Sequence, residues 1–206
     1  MLDLPDIEPV VAPEPLVTLD QIRAHLNLSA DQTYQDNYLL SLISPAMEVI
    51  ESVAEVATTQ RTLRATYRIR NGYSTSAEVE IPVYPPPVVV LNSVIYRYPS
   101  PEDSRDVTDV FSVLSGGGRG RSGLIGAAAM DATAITPDSI VIEYITGYIV
   151  SVNIPQVFIV ACLQLISDWS TWRGSAEELR DSRLARNLPG SWQSTLRNAG
   201  FDVPTI

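Results

Sequence analysis

The chain has 206 residues, 45% of them hydrophobic, and a net charge of -10 from 24 acidic and 14 basic side chains; every basic one is arginine. A negative protein is poorly suited to gripping phosphate backbones through its general field, since such binding depends on cationic contacts that release counterions. One cysteine, Cys162, and one histidine, His25, exclude an internal disulfide framework and a Cys/His metal site, and leave nucleophilic catalysis without an obvious base.

Residues 1–15 place Pro5, Pro9, Pro13 and Pro15 among Asp3, Asp6, Glu8 and Glu14, which predicts an extended, solvated arm. MLDLPDIEPVV lacks the basic region and apolar run of a secretory signal, and Gln164 and Asp168 interrupt the best membrane-span candidate, so a soluble protein made in a cytoplasm is expected. Thr18 followed by Gln21 forms a capping box, and Leu19, Ile22 and Leu26 repeat at helical spacing, predicting a first helix over about 18–27. A second helix, about 35–57, has Leu39, Leu42, Ile43, Ala46, Met47, Ile50 and Val53 on one stripe. Pro45 interrupts its hydrogen bonding, so a kink is expected there in preference to a restart at Ser44.

Between 60 and 146 the hydrophobic period changes to two, which predicts the antiparallel strands of one twisted sheet. A hairpin around NGYSTS would set Arg64, Arg68 and Arg70 against Glu78 and Glu80 on its wet face; a basic strip for phosphate is the alternative. SGGGRGRSG at 115–123 lacks the Lys-Ser/Thr end of a phosphate-binding loop and reads as a hairpin tip. Its Arg119 and Arg121 are candidates for contact with a neighbouring molecule. PEDSRDVTD at 101–109 gathers carboxylates, but without the spacing of a calcium loop, and reads as a solvated acidic loop.

IPQVFIVACLQLISDW at 154–169 predicts a third helix, about 155–172, packed on all sides, since apolar side chains point in every direction. The tail, 174–206, carries a charged amphipathic stretch, then Trp192, Leu196 and Phe201 as widely spaced apolar anchors suited to another protein's groove. Three segments follow: an arm at 1–15, a central domain at 16–173 and a C-terminal docking segment at 174–206. The expected fold is α+β, a helical bundle of the two N-terminal helices and the fully buried third helix around one core, with an antiparallel β-sheet inserted between the second and third.

The order of LVTLDQIRAHLNL at 16–28, PPPVVVLNSVIY at 85–96, IVIEYITGY at 140–148 and then the buried helix ending in WSTWR resembles the head-tail connector, or portal adaptor, proteins of tailed bacteriophages and gene transfer agents. That resemblance implies a virion structural protein, not an enzyme, with no cofactor and no metal. It implies a ring beneath the portal, of twelve copies to match it, that extends the DNA channel and offers a platform for tail attachment. The implied partners are the portal, neighbouring copies, and a downstream connector, stopper or tail protein; DNA passes without specific binding, and no membrane is involved. The implied location is the virion neck, after assembly in the host bacterial cytoplasm. By the same resemblance the chain after the third helix embraces the portal, which makes Trp172, Trp192, Leu196 and Phe201 the candidate docking residues. Two other classes fit the composition: an acidic monomeric protein-binding module, and a carboxylate-dependent metal hydrolase using the loop at 102–109.

Overall fold

The computed structural model describes residues 4–29, 31–69, 78–99, 104–115, 122–127, 138–149, 153–171 and 191–201. It divides into two compact units, Met1–Glu14 with Thr59–Tyr148, and Pro15–Thr58 with Ile149–Ile206.

The first unit is built of strands. β1 (Asp6–Pro9), β2 (Arg61–Arg68), β4 (Val88–Arg97), β5 (Arg105–Asp106) and β8 (Ser139–Thr146) form an antiparallel sheet in the order β1-β2-β8-β4-β5. β3 (Glu78–Val83), β6 (Phe111–Ser115) and β7 (Ser122–Ala127) form a second sheet in the order β3-β7-β6. Alternation decides the inner face: Leu63, Ala65 and Tyr67 of β2, Ile140, Ile142 and Tyr144 of β8, and Val94 and Tyr96 of β4 all turn the same way. Ile81, Val83 and Phe111 of the second sheet complete one buried cluster with them. Each such aliphatic side chain contributes roughly 1.5–3 kcal/mol by leaving water.

Polar groups inside this unit are paired. The Tyr67 hydroxyl donates to the Pro82 carbonyl, that of Tyr144 to the Tyr84 carbonyl, and Thr146 Oγ1 to the Pro87 carbonyl at 2.9 Å. Prolines 85–87 have no N–H to give, so the turn between β3 and β4 is held through its carbonyls by the Tyr144 and Thr146 hydroxyls of β8, while Tyr67 of β2 bonds β3 itself. Burial raises both phenols above their ordinary pKa. β8 ends at Gly147, whose φ of +92° and close approach to the backbone require glycine: an added Cβ would lie 2.1 Å from the Thr59 carbonyl oxygen.

Helices build the second unit. α1 (Leu19–His25) starts from the capping box, with Thr18 N–H donating to Gln21 Oε1 at 2.8 Å and Gln21 N–H to Thr18 Oγ1 at 3.3 Å. α2 (Asp36–Ala54) buries Leu39, Ile43, Ala46, Met47 and Ile50, and runs through Pro45 without restarting. It ends at Glu55, a non-glycine residue at φ +54°. Arg23 of α1 pairs with Asp36 of α2 at 3.4 Å. α3 (Gln156–Thr171) buries Phe158, Ala161, Cys162, Leu165 and Ile166, and the Cys162 thiol is pushed up to about 12 by burial. α4 (Ser191–Asn198) packs on α3.

Several expectations are overturned. A helical bundle with an inserted sheet around one core is not what forms, because the strands enclose a core of their own between two sheets, drawn wholly from residues 63–144. The sheet unit also takes its edge strand from the N-terminal arm, with Val10 N–H donating to the Thr62 carbonyl at 2.9 Å just beyond β1. Nor is α3 buried all round: Val160 is 40% exposed, and Ile159 and Leu163 beside it are only half-buried. β2 and β3 do not form the expected charged hairpin but lie in different sheets, and the NGYSTS segment itself falls outside the described residues.

Candidate functional site

The C-terminal docking candidates begin with α4. Its sequence SWQSTLRN puts Trp192 and Leu196 four residues apart, hence on one helical face, and both are buried. The helix closes through Gly200 at φ +91°: Gly200 N–H donates to the Arg197 carbonyl at 2.8 Å, and Phe201 N–H reaches the Leu196 carbonyl at 3.0 Å. This C-terminal cap turns Phe201 back, and its ring lies 5.1 Å from that of Phe158 in α3 at a tilt of 50°. Thr195 Oγ1 and Gln164 Oε1 are 3.0 Å apart, so the hydroxyl donates to the amide oxygen and adds a polar tie. Trp192, Leu196 and Phe201 are therefore held against their own chain. Trp172, and the loop residues Arg119 and Arg121, lie outside the described residues. The strands flanking that loop pair from Phe111↔Gly126 to Ser115↔Ser122.

A second surface, which carries the Arg64 and Arg68 noted in the sequence, is the outer face of the five-stranded sheet. Register brings Glu8, Arg64, Glu143 and Ser93 into one row across four strands, and Arg64 Nη2 bonds Glu143 Oε2 at 3.0 Å. Four residues along β2 and β8 the central carboxylate is replaced by a hydroxyl: Arg68, Ser139 and Arg97 share a row, with both arginines exposed. Only strand pairing reveals these rows, because their members are far apart in sequence, as Glu8 and Glu143 are.

Two described carboxyl groups are shifted from their ordinary range, in opposite directions. At the end of β5, Asp106 Oδ1 accepts from the Thr108 hydroxyl at 2.6 Å and from its N–H at 2.9 Å, and those bonds, the hydroxyl's first, lower the carboxyl's pKa. This is an exposed turn motif. Asp168 of α3 is shifted the opposite way, by desolvation. Among the described residues no three His, Cys, Asp or Glu side chains converge as metal ligands, and no helix is long and apolar enough to cross a membrane.

No protein-family model and no curated protein matches the chain. Solved structures do match, among them two chains of gene transfer agent particles. A chain in the neck of an empty gene transfer agent particle, computed with C6 symmetry, superposes with a TM-score of 0.70 at 18% identity, covering 98% of this chain and 97% of the other. A chain in the virion of a native gene transfer agent particle gives a TM-score of 0.68 at 17% identity, covering 97% and 96%. The chain thus shares its fold, almost end to end, with a chain of the gene transfer agent neck, in keeping with the head-tail connector resemblance carried by its sequence.

Proposed function

We propose that this protein is a virion structural component of the neck, a head-tail connector that works by assembly and catalyses no reaction. The observation that carries the reading is the extent of the fold match, which runs over nearly the full length of both chains and so includes both units. The finer reading is a ring of twelve copies under the portal, extending the DNA channel and presenting a platform to the next connector or the tail. Six-fold symmetry in the neck of the similar particle is compatible with twelve copies, two per symmetry unit. A channel lined by copies each carrying -10 would repel DNA phosphates and keep the duplex from sticking in passage.

The C-terminal segment is proposed as the portal-docking element, with Trp172, Trp192, Leu196 and Phe201 as its anchors, and Arg119 and Arg121 as contacts to the tail, a neighbour or DNA. Because Trp192 and Leu196 are buried against α3, docking through them requires α4 to exchange one apolar surface for another. Mixing the full chain with purified portal rings tests the reading. Native mass spectrometry should give twelve copies per portal ring, with altered amide exchange over 191–201. A chain that stays monomeric and fails to co-sediment with portal rings would sink the reading, and unchanged exchange over 191–201 in a formed complex would move docking elsewhere.

A further inference from the structure

We propose that Arg68 and Arg97 on the sheet of one copy grip Glu48 and Glu55 at the C-terminal end of α2 in the next copy. This contact rests on the ring reading above, and it names the surfaces that would close the ring.

On the sheet, Arg64 is answered within its row by Glu143, whereas Arg68 and Arg97 have only Ser139 between them. Both guanidinium groups are exposed and make no ion pair among the described residues, although the chain has ten more acids than bases. Two inter-strand spacings separate their Cα atoms by about 10 Å.

The end of α2 departs from the usual rules for a helix C-terminus in a way that calls for cations. Its last turn has no basic residue, and Glu51 and Glu55 sit where the helix dipole is negative, a position that repels carboxylates, with Glu48 in the turn before. Glu51 is occupied, accepting from Thr58 N–H at 2.8 Å and its hydroxyl at 2.7 Å. Glu48 and Glu55 are exposed and make no ion pair among the described residues. Glu55 also holds φ at +54°, a left-handed conformation that glycine or asparagine usually fills at this position. Such local costs are characteristic of surfaces kept for a partner.

The two pairs fit each other. Glu48 and Glu55 are seven residues apart, which sets their Cα atoms about 10 Å apart along the helix, matching the spacing of the arginines. A contact between different patches of identical chains is heterologous, the kind that closes rotational rings. DNA is disfavoured as the occupant of the arginine pair by the negative field of the chain.

Charge reversal tests the contact by native mass spectrometry and sedimentation, alone and with portal rings. Full-length chains carrying Arg68→Glu with Arg97→Glu, or Glu48→Arg with Glu55→Arg, should each weaken ring association about a hundredfold or more, because like charges are then opposed. Mixed in equal amounts, the two variants should form rings again, in which copies alternate; a chain carrying all four reversals should assemble by itself. Rings from either double variant alone at the wild-type concentration would overturn the contact, as would a mixture that stays dissociated while both variants melt like the parent. If a reversal unfolds the chain, Arg68→Gln with Arg97→Gln replaces it, and should remove most of the salt dependence of ring formation; unchanged salt dependence counts against the contact. A wild-type chain that forms no ring overturns the connector reading and the contact together, whereas a wild-type ring indifferent to reversal overturns the contact only.

Discussion

The two units bury their interiors by different means. In the sheet unit, register does the work: side chains alternate in and out, the Tyr67 hydroxyl bonds a carbonyl of β3, and those of Tyr144 and Thr146 reach carbonyls of the proline-rich turn that follows it. The helical unit is assembled from two stretches far apart in sequence, which the bond from the Tyr38 hydroxyl to the Trp169 carbonyl at 3.4 Å helps to tie together. Its last element, α4, rests on α3 through Trp192, Leu196 and the Phe201 ring. Cooperative pairing makes the first unit intolerant of backbone change, whereas the second ends in a short helix held by side chains against α3.

The largest test of this contrast is Ala161→Asp. Ala161 is fully buried in α3, and an unpaired carboxylate there should cost about 4–5 kcal/mol or more, unfolding the helical unit. Amide exchange resolved by residue should show α1–α3 losing protection while β2 and β8 keep theirs; equal loss in both would mean that the units fold as one. Leu196→Ala comes next, at about 3 kcal/mol. Its loss should be confined to α4, seen as a red shift of Trp192 emission at little change in the main melting transition. Gly147→Ala attacks the sheet unit through backbone alone, and the displacement needed at Thr59 should cost about 2 kcal/mol, read as a lower melting temperature.

Tyr144→Phe leaves the Tyr84 carbonyl without its donor and should cost about 1–2 kcal/mol. Because burial raises the pKa of Tyr67 and Tyr144 above that of the unfolded chain, the neutral phenols stabilise the fold fully below about pH 10, and that contribution is lost as pH rises through the folded values. An alkaline titration followed by near-ultraviolet absorbance should therefore show these two phenols ionising late, together with unfolding, and one fewer late phenol in Tyr144→Phe. Smallest of all, Val160→Ser should change stability by less than about 0.5 kcal/mol, since that side chain already meets solvent; a large loss would restore a helix packed on every side.

Local signals were the legible ones. The capping box of Thr18 and Gln21 marks α1, the apolar stripe marks α2, and the two-residue period marks β2, β4 and β8. Partner choice was not legible, because a strand's period says which face is buried but not which strand lies beside it. Hence one sheet was expected where two form. β1 was hidden for a related reason: prolines and acids suggest a solvated arm, yet an edge strand tolerates both. On α3 an apolar residue facing solvent looks no different in sequence from one in the core, which is how Val160 was misplaced. As for the candidate surfaces, the spacing of Trp192 and Leu196 does carry a helical signal, whereas the row of Arg68, Ser139 and Arg97 exists only once strands pair.

The contribution of β1 to the sheet unit sets an order of events on the ribosome. β1 is made first, then α1 and α2 of the other unit, and only then β2, its partner. At roughly 5–20 residues per second, the strand waits several seconds with both edges unpaired. Pro5 and Pro9 bracket it during that interval, each removing a donor that a passing strand would need, so the nascent arm is a poor template for the wrong neighbour.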